Sequence, residues 1–117
     1  MKKRIFALTL AAIILCVLCI PTLTMARGAL NCQSNVISGN SYARITSFMP
    51  ENLYVEFSLY KIVSGVEQFQ CSASGRATPG TSATARSNKS LSSGYYVMYI
   101  YGYGDTHTVN ETRYYQI

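Results

Sequence analysis

The sequence predicts an all-β protein, a small antiparallel β-sandwich of six to seven strands that follows an N-terminal signal helix. Beyond residue 26, no apolar stripe repeats with the period of an amphipathic helix. Apolar and polar residues alternate instead, as they do in strands, and short Gly-bearing segments separate the alternating runs. A small barrel is the alternative architecture. An immunoglobulin topology is not implied, because the chain has no Trp to pack on a disulfide.

Residues 1–26 have the three-part layout of a secretory signal peptide. A positive segment at 2–4 precedes the apolar run 5–20, and small residues mark a cleavage site within 24–26. The apolar run is shorter than the roughly 20 residues that span a bilayer, so we expect cleavage, with a retained anchor as the alternative. We expect membrane contact only through this segment, and we expect 27–117 to form one secreted β-sandwich domain, outside the cell or at its surface.

The charge balance changes once the signal segment is set aside. Three of the ten basic residues lie in 1–26, which leaves seven basic against five acidic residues in 27–117. The remaining basic residues are scattered along the chain, whereas a nucleic-acid surface needs a clustered basic face. The sequence therefore predicts no nucleic-acid partner.

Two of the four cysteines, Cys16 and Cys19, lie in the signal segment, and Cys32 and Cys71 remain. An even number of cysteines in an exported chain predicts a disulfide between them. Such a bond closes a loop of about 40 residues, worth roughly 4 kcal/mol in the chain-entropy model. Cys32, Cys71 and a single histidine lack the close spacing of a zinc site, so we expect neither a metal nor a cofactor.

The clearest strand in the first half of the domain is 52–63, where apolar and polar residues alternate. Ser64-Gly65 follows and predicts a tight hairpin into the strand 66–74, because Gly accepts the positive φ of such turns. Upstream, 41–48 is rich in β-branched and aromatic residues and predicts another strand, and 32–37 predicts a short one.

The second half begins with a polar stretch, 75–93, rich in Gly, Ser, Thr and Ala. Its low apolar content favours an edge strand or a loop over a core strand. The segment 94–103 is the densest strand signal in the chain, and Gly104-Asp105 predicts a turn into the partner strand 106–117.

The tyrosines are the most distinctive feature of the composition. Most of the ten lie in the last two predicted strands. Within 94–103, alternation puts Tyr96, Met98 and Ile100 on one face and a tyrosine-rich row on the other. That row contains Tyr95, Val97, Tyr99, Tyr101 and Tyr103. Two interpretations stay open: the rings stabilise the sheet through cross-strand pairs, or Tyr95, Tyr99, Tyr101 and Tyr103 bind a ligand.

Nothing in the sequence predicts an enzyme. Asp105 and His107 are two apart and point to the same side of a strand, so a Ser-His-Asp relay is hard to build from them. No nucleophile-elbow sequence is present. Paired carboxylates that act as acid and base need a cleft, and no segment defines one. We therefore expect no catalytic residues.

The C-terminal third carries a family resemblance. Ser93-Gly94-Tyr95-Tyr96-Val97, a turn, and then Glu111-Thr112 resemble small secreted β-domain proteins of unknown function from Gram-positive bacteria. The resemblance implies export and a β-domain, and it brings no catalytic residues.

These observations favour a secreted, non-catalytic binding or cell-envelope-associated domain. Its partner would be a cell-wall polysaccharide or another surface protein, held by the tyrosine row. The alternative is a secreted bacteriocin-like antimicrobial or toxin protein, since small Gly- and Tyr-rich β-sandwich bacteriocins are a more distant likeness.

Overall fold

The computed structural model describes residues 30–117, which form seven strands in two antiparallel sheets. The strands are β1 (Asn31–Asn35), β2 (Ser41–Thr46), β3 (Leu53–Val63), β4 (Val66–Ala77), β5 (Ala83–Ser87), β6 (Tyr95–Tyr103) and β7 (Thr108–Gln116). The predicted all-β fold class is confirmed. The described residues include no helix that is long and apolar enough to cross a membrane. The predicted signal peptide, 1–26, lies outside them.

The two sheets have the strand orders β1-β2-β5 and β4-β3-β6-β7. In β2, β3 and β6 every second side chain points between the sheets, so their apolar rows form the core. Fully or almost fully buried core residues include Ala43, Ile45, Leu53, Val55, Phe57, Leu59, Ala83, Ala85, Tyr96, Met98 and Ile100. Tyr96 keeps a partner for its polar group, because its hydroxyl donates to the carbonyl of Ser92 at 2.6 Å.

The hairpin predicted between β3 and β4 is confirmed. Ser64 and Gly65 form its turn with φ values of 53° and 78°, the left-handed pair that matches the twist of the flanking strands. β4 continues to Ala77, three residues beyond the predicted strand end at 74. A register shift between Leu59 and Tyr60 places Tyr60 opposite Phe69.

The polar segment 75–93 contains β5, an edge strand of the three-stranded sheet. Its Ala83 and Ala85 are fully buried, so this edge strand contributes to the core. Gly75 explains the small side chains: a Cβ at Gly75 would overlap the carbonyl of Thr84. The backbones of β4 and β5 therefore approach closely here, which favours small inward side chains such as those of Ala83 and Ala85.

Glu51 joins two loops at one end of the sandwich. Glu51 is only 5% exposed, and its carboxylate accepts hydrogen bonds from the Ser47 hydroxyl and, at 2.6 Å, from the Asp105 amide. The Ser47 bond is the main cause of a lowered pKa for Glu51, while burial opposes it and the backbone bonds from Asp105 and Thr106 add to it. The β2–β3 loop is thus held against the β6–β7 turn.

Arg113 connects the sheets on the side where β1 and β7 lie. Its guanidinium forms an ion pair with Glu111 and donates to the Ser34 hydroxyl at 3.0 Å and to the Cys32 carbonyl at 3.0 Å. Tyr115 also hydrogen-bonds Ser34. Charged inward residues on an edge strand discourage pairing with another chain, so this cluster both closes the sandwich and protects β7.

Both cysteines of the described chain are free. Cys32, on β1, lies beside the Arg113 side chain of β7. Cys71 lies on β4, the edge strand at the opposite side of the four-stranded sheet from β7. The strand register places Leu59 and Met98 between Cys71 and Arg113. Three strand spacings, roughly 14 Å, separate the backbone of Cys71 from that of Arg113, whose guanidinium contacts Cys32. The Cα atoms of a disulfide lie within about 7 Å, and both thiols are free. The disulfide predicted between Cys32 and Cys71 is therefore not present in this structure.

Candidate functional site: an aromatic sheet face beside a serine groove

The alternation predicted for β6 places its two rows on opposite faces. Tyr96, Met98 and Ile100 point into the core. The four predicted ligand-binding residues lie on the outer surface of the four-stranded sheet, each at least 36% exposed. They are Tyr95, Tyr99, Tyr101 and Tyr103. The four tyrosines of the predicted row therefore face solvent.

Strand register adds four aromatic residues that the sequence did not assign to the site. Tyr54 lies opposite Tyr103, and Tyr60 lies opposite both Val97 and Phe69. Tyr114 of β7 lies opposite Val97 from the other side. We call the combined surface the aromatic face; it consists of Tyr54, Tyr60, Phe69, Tyr95, Tyr99, Tyr101, Tyr103 and Tyr114.

The rings of the aromatic face contact one another in two groups. Near one end, Tyr103 lies 5.2 Å from Tyr54 and 6.0 Å from Tyr101, measured between ring centroids. Toward the hairpin, Tyr60 stands edge-on to Phe69 and to Tyr99, each at 5.6 Å. These offset and edge arrangements are favourable for aromatic pairs, so the face is partly held in place by its own rings.

Internal packing accounts for only part of the exposed aromatic surface. Val97, between Tyr60 and Tyr114, is completely buried although it lies on the outer side of the sheet. By contrast, Tyr114 is 71% exposed, Tyr95 60% and Phe69 59%. An exposed Phe has no hydroxyl for water to bind, and contiguous exposed apolar surface marks interaction sites.

Two carboxylates orient phenol groups on the aromatic face. Tyr54 donates to Glu56 at 2.6 Å and Tyr99 donates to Glu67 at 2.7 Å. Each bond favours the protonated phenol: the bond to Glu56 raises the pKa of Tyr54, and the bond to Glu67 raises the pKa of Tyr99 to about 12. Both rings are thereby fixed as neutral hydrogen-bonding groups at physiological pH.

A shallow groove of about 400 Å³ runs along β3 and β4 beside the rings. We call it the serine groove, because Ser58, Ser72 and Ser74 line it together with Tyr54 and Glu56. The register puts Glu56 next to Tyr101, and Ser58 next to Tyr99. Hydroxyl and carboxylate groups therefore lie directly beside exposed rings.

The other polar residues weighed in the sequence do not assemble into a reactive centre. His107 is exposed in the β6–β7 turn, and its Nδ1 lies 2.8 Å from the Thr106 hydroxyl. Among residues 30–117, no three His, Cys, Asp or Glu side chains lie close enough to hold a metal ion. Neither a protein-family model nor a curated protein sequence matches this chain.

Proposed function

We propose that this protein is an exported, non-catalytic binding domain of the cell envelope, and that the aromatic face holds a polysaccharide chain. The observation that carries the proposal is the exposed row Tyr95, Tyr99, Tyr101 and Tyr103 next to the serine groove. Sugar rings have apolar faces that stack on aromatic side chains and hydroxyls at their edges that need hydrogen-bonding partners. The aromatic face supplies rings for stacking, and the serine groove beside it supplies hydrogen-bonding partners.

The groove favours a polysaccharide over a protein partner. Protein-binding surfaces typically have a central apolar core surrounded by a polar rim. Here the polar groups of Ser58, Ser72 and Glu56 form a continuous strip parallel to the tyrosine row of β6. A linear chain of hydroxyl-bearing rings can lie along both strips over several sugar units.

Retention on insoluble polysaccharides tests the proposal. Purified protein would be mixed with cellulose, chitin and Gram-positive peptidoglycan, and the bound fraction measured. We expect retention on at least one of them, and we expect Tyr99→Ala/Tyr101→Ala to weaken it by about tenfold or more, since aromatic anchors dominate binding energy at such surfaces.

The matched control is Phe48→Ala, which removes an exposed aromatic ring from the β2–β3 loop, outside the aromatic face. It should leave retention unchanged. Because the chain contains no Trp, tyrosine fluorescence can also be titrated with soluble oligosaccharides. Absence of retention on all three polymers, or equal loss with Phe48→Ala, would contradict the proposal.

Export is the second part of the proposal and rests on the signal-peptide layout of residues 1–26. We expect the protein recovered from the culture medium or the cell surface to begin at Arg27, which N-terminal sequencing can check. A chain recovered in the cytoplasm with Met1 intact would contradict export without affecting the polysaccharide site.

A further inference from the structure

The outer side of the three-stranded sheet has a different chemistry from the aromatic face. The strands β1, β2 and β5, together with the β1–β2 and β5–β6 loops, contain Arg44, Arg86 and Lys89 and no acidic residue. All five carboxylates of the described chain lie on the four-stranded sheet or in the loops at its ends. The sandwich is therefore electrically asymmetric, with one basic outer surface.

Arg44 and Arg86 are gathered around one ring. The Cζ atom of Arg44 lies 5.5 Å from the ring centroid of Tyr42, and that of Arg86 lies 5.2 Å from the same centroid. Arg86 pairs with Tyr42 in the strand register and Arg44 pairs with Thr84, so the two arginines are diagonal neighbours on one face. Cation–π contact positions both guanidinium groups.

Neutral partners fix these arginines and leave their charges uncompensated. Arg44 donates through Nε to the Thr84 hydroxyl at 3.2 Å, and Arg86 donates to the side-chain oxygen of Asn40. The ion pair found among the described residues is elsewhere, between Arg113 and Glu111. The unused N–H groups of each guanidinium have the fork geometry that binds carboxylate and phosphate oxygens.

We propose that this surface, the arginine face of Arg44, Tyr42 and Arg86, binds an acidic polysaccharide, a sugar chain that carries carboxylate or phosphate groups. The side chains around it are neutral hydrogen-bonding groups, Asn31 and Gln33 on β1 and Thr84 on β5. Amides and hydroxyls suit the hydroxyls of a sugar chain between its charges. This site is independent of the aromatic face, which binds through rings and lies on the other sheet.

The same surface fits other anionic partners less well. A membrane surface needs apolar side chains that insert between lipids, and β1, β2 and β5 present none outward at this position. Single-stranded nucleic acid needs exposed rings for base stacking, and two guanidinium groups already occupy the Tyr42 ring. An acidic sugar chain requires only the charges and the neutral donors and acceptors that the face offers.

Binding to polygalacturonate, with its methyl ester as the uncharged counterpart, tests the inference. We expect the purified protein to bind polygalacturonate at low ionic strength, to release it as salt screens the charges, and to bind the ester more weakly. We expect Arg44→Gln/Arg86→Gln to weaken binding by about tenfold or more, because both charge-assisted contacts are lost.

The control variant is Lys61→Gln/Arg76→Gln, which removes the same charge from the four-stranded sheet. It should weaken binding less than Arg44→Gln/Arg86→Gln does, because Lys61 and Arg76 lie on the opposite sheet, away from the arginine face. Equal loss in both variants would show that net charge alone attracts the polymer and would overturn the site. Loss of binding in Tyr99→Ala/Tyr101→Ala would place the acidic chain on the aromatic face and would also overturn it.

Two further outcomes decide against the inference. Failure to bind both polygalacturonate and a poly(glycerol phosphate) chain would show that the face does not hold acidic polymers. Tighter binding of single- or double-stranded DNA than of either polymer would make the partner a nucleic acid. Circular dichroism of Arg44→Gln/Arg86→Gln should match that of the parent protein, which shows that the variant is folded. Arg44→Lys/Arg86→Lys keeps the positive charge, so it should bind more tightly than the glutamine variant.

Discussion

Tyr99 in the middle of β6 donates its phenolic hydrogen to Glu67 near the tip of the β3–β4 hairpin, over 2.7 Å. This bond crosses β3, the strand between them, on the outer side of the sheet. It links the predicted binding row to the exposed hairpin and fixes the ring of Tyr99 beside Tyr60. On the aromatic face, the hairpin tip and the middle of β6 are therefore joined across β3.

Replacing Glu67 should release the phenol of Tyr99. The bond to Glu67 raises the pKa of Tyr99 from 10 to about 12, and Glu67→Gln removes the charge that opposes ionisation. We expect the pKa to fall toward the ordinary value, measured as phenolate absorbance against pH. A raised folded-state pKa stabilises the fold below the unfolded-state value and loses that effect as pH rises between about 10 and 12. An unchanged titration curve in Glu67→Gln would show that the bond is not formed in solution.

Strand β6 illustrates what a single sequence can predict. Its alternation of Tyr, Val, Met and Ile is local, so the two faces follow from the period of a strand alone. The hairpin turn at Ser64-Gly65 is equally local, because positive φ selects Gly. Both predictions are confirmed, and the alternation of β6 places its tyrosines on a surface without stating what binds there.

The remaining site residues depend on contacts between distant segments. Tyr54, Tyr60 and Tyr114 join the aromatic face only because β3 and β7 flank β6 in a particular register. The disulfide predicted between Cys32 and Cys71 is absent for the same reason. An even cysteine count carries no information about how far apart the fold places the two thiols. In sequence, the alanine-rich segment of β5 looks like a loop. Only the close approach of Gly75 to the Thr84 backbone explains why small residues such as Ala83 and Ala85 are buried there.

Gly75 should tolerate no side chain. A Cβ at this position would overlap the Thr84 carbonyl, which is backbone and cannot rotate away. We expect Gly75→Ala to lower the free energy of unfolding by about 1–3 kcal/mol, the usual cost of overpacking, in urea denaturation. Ser74→Ala, at the adjacent exposed position, should change it by less than about 0.5 kcal/mol. A stable Gly75→Ala protein would mean that β4 and β5 lie further apart than described.

The thiols of Cys32 and Cys71 should both be free in the folded protein. Mass spectrometry of a digest prepared without reducing agent should contain no peptide that joins them, because the two cysteines lie on strands of different sheets and both are free. Burial raises the pKa of the Cys32 thiol, with Glu111 adding to the effect and Arg113 opposing it. A smaller thiolate fraction slows alkylation, so iodoacetamide should label Cys32 more slowly than it labels the unfolded chain. Recovery of a cross-linked Cys32–Cys71 peptide would contradict this arrangement.

Glu51 should make stability depend on pH in the acidic range. Its folded-state pKa is lowered, chiefly by the Ser47 bond, so its contribution is complete above the unfolded-state pKa and is lost as pH falls through the folded-state pKa. We expect Glu51→Gln to cost about 1–3 kcal/mol near neutral pH, since charge-assisted bonds to Ser47 and Asp105 weaken. The difference from the parent should shrink in acid, when the parent carboxylate is protonated. Glu56→Gln, at an exposed position, should lower the free energy of unfolding by less. If the loss caused by Glu51→Gln stays the same in acid, packing and not charge is its cause.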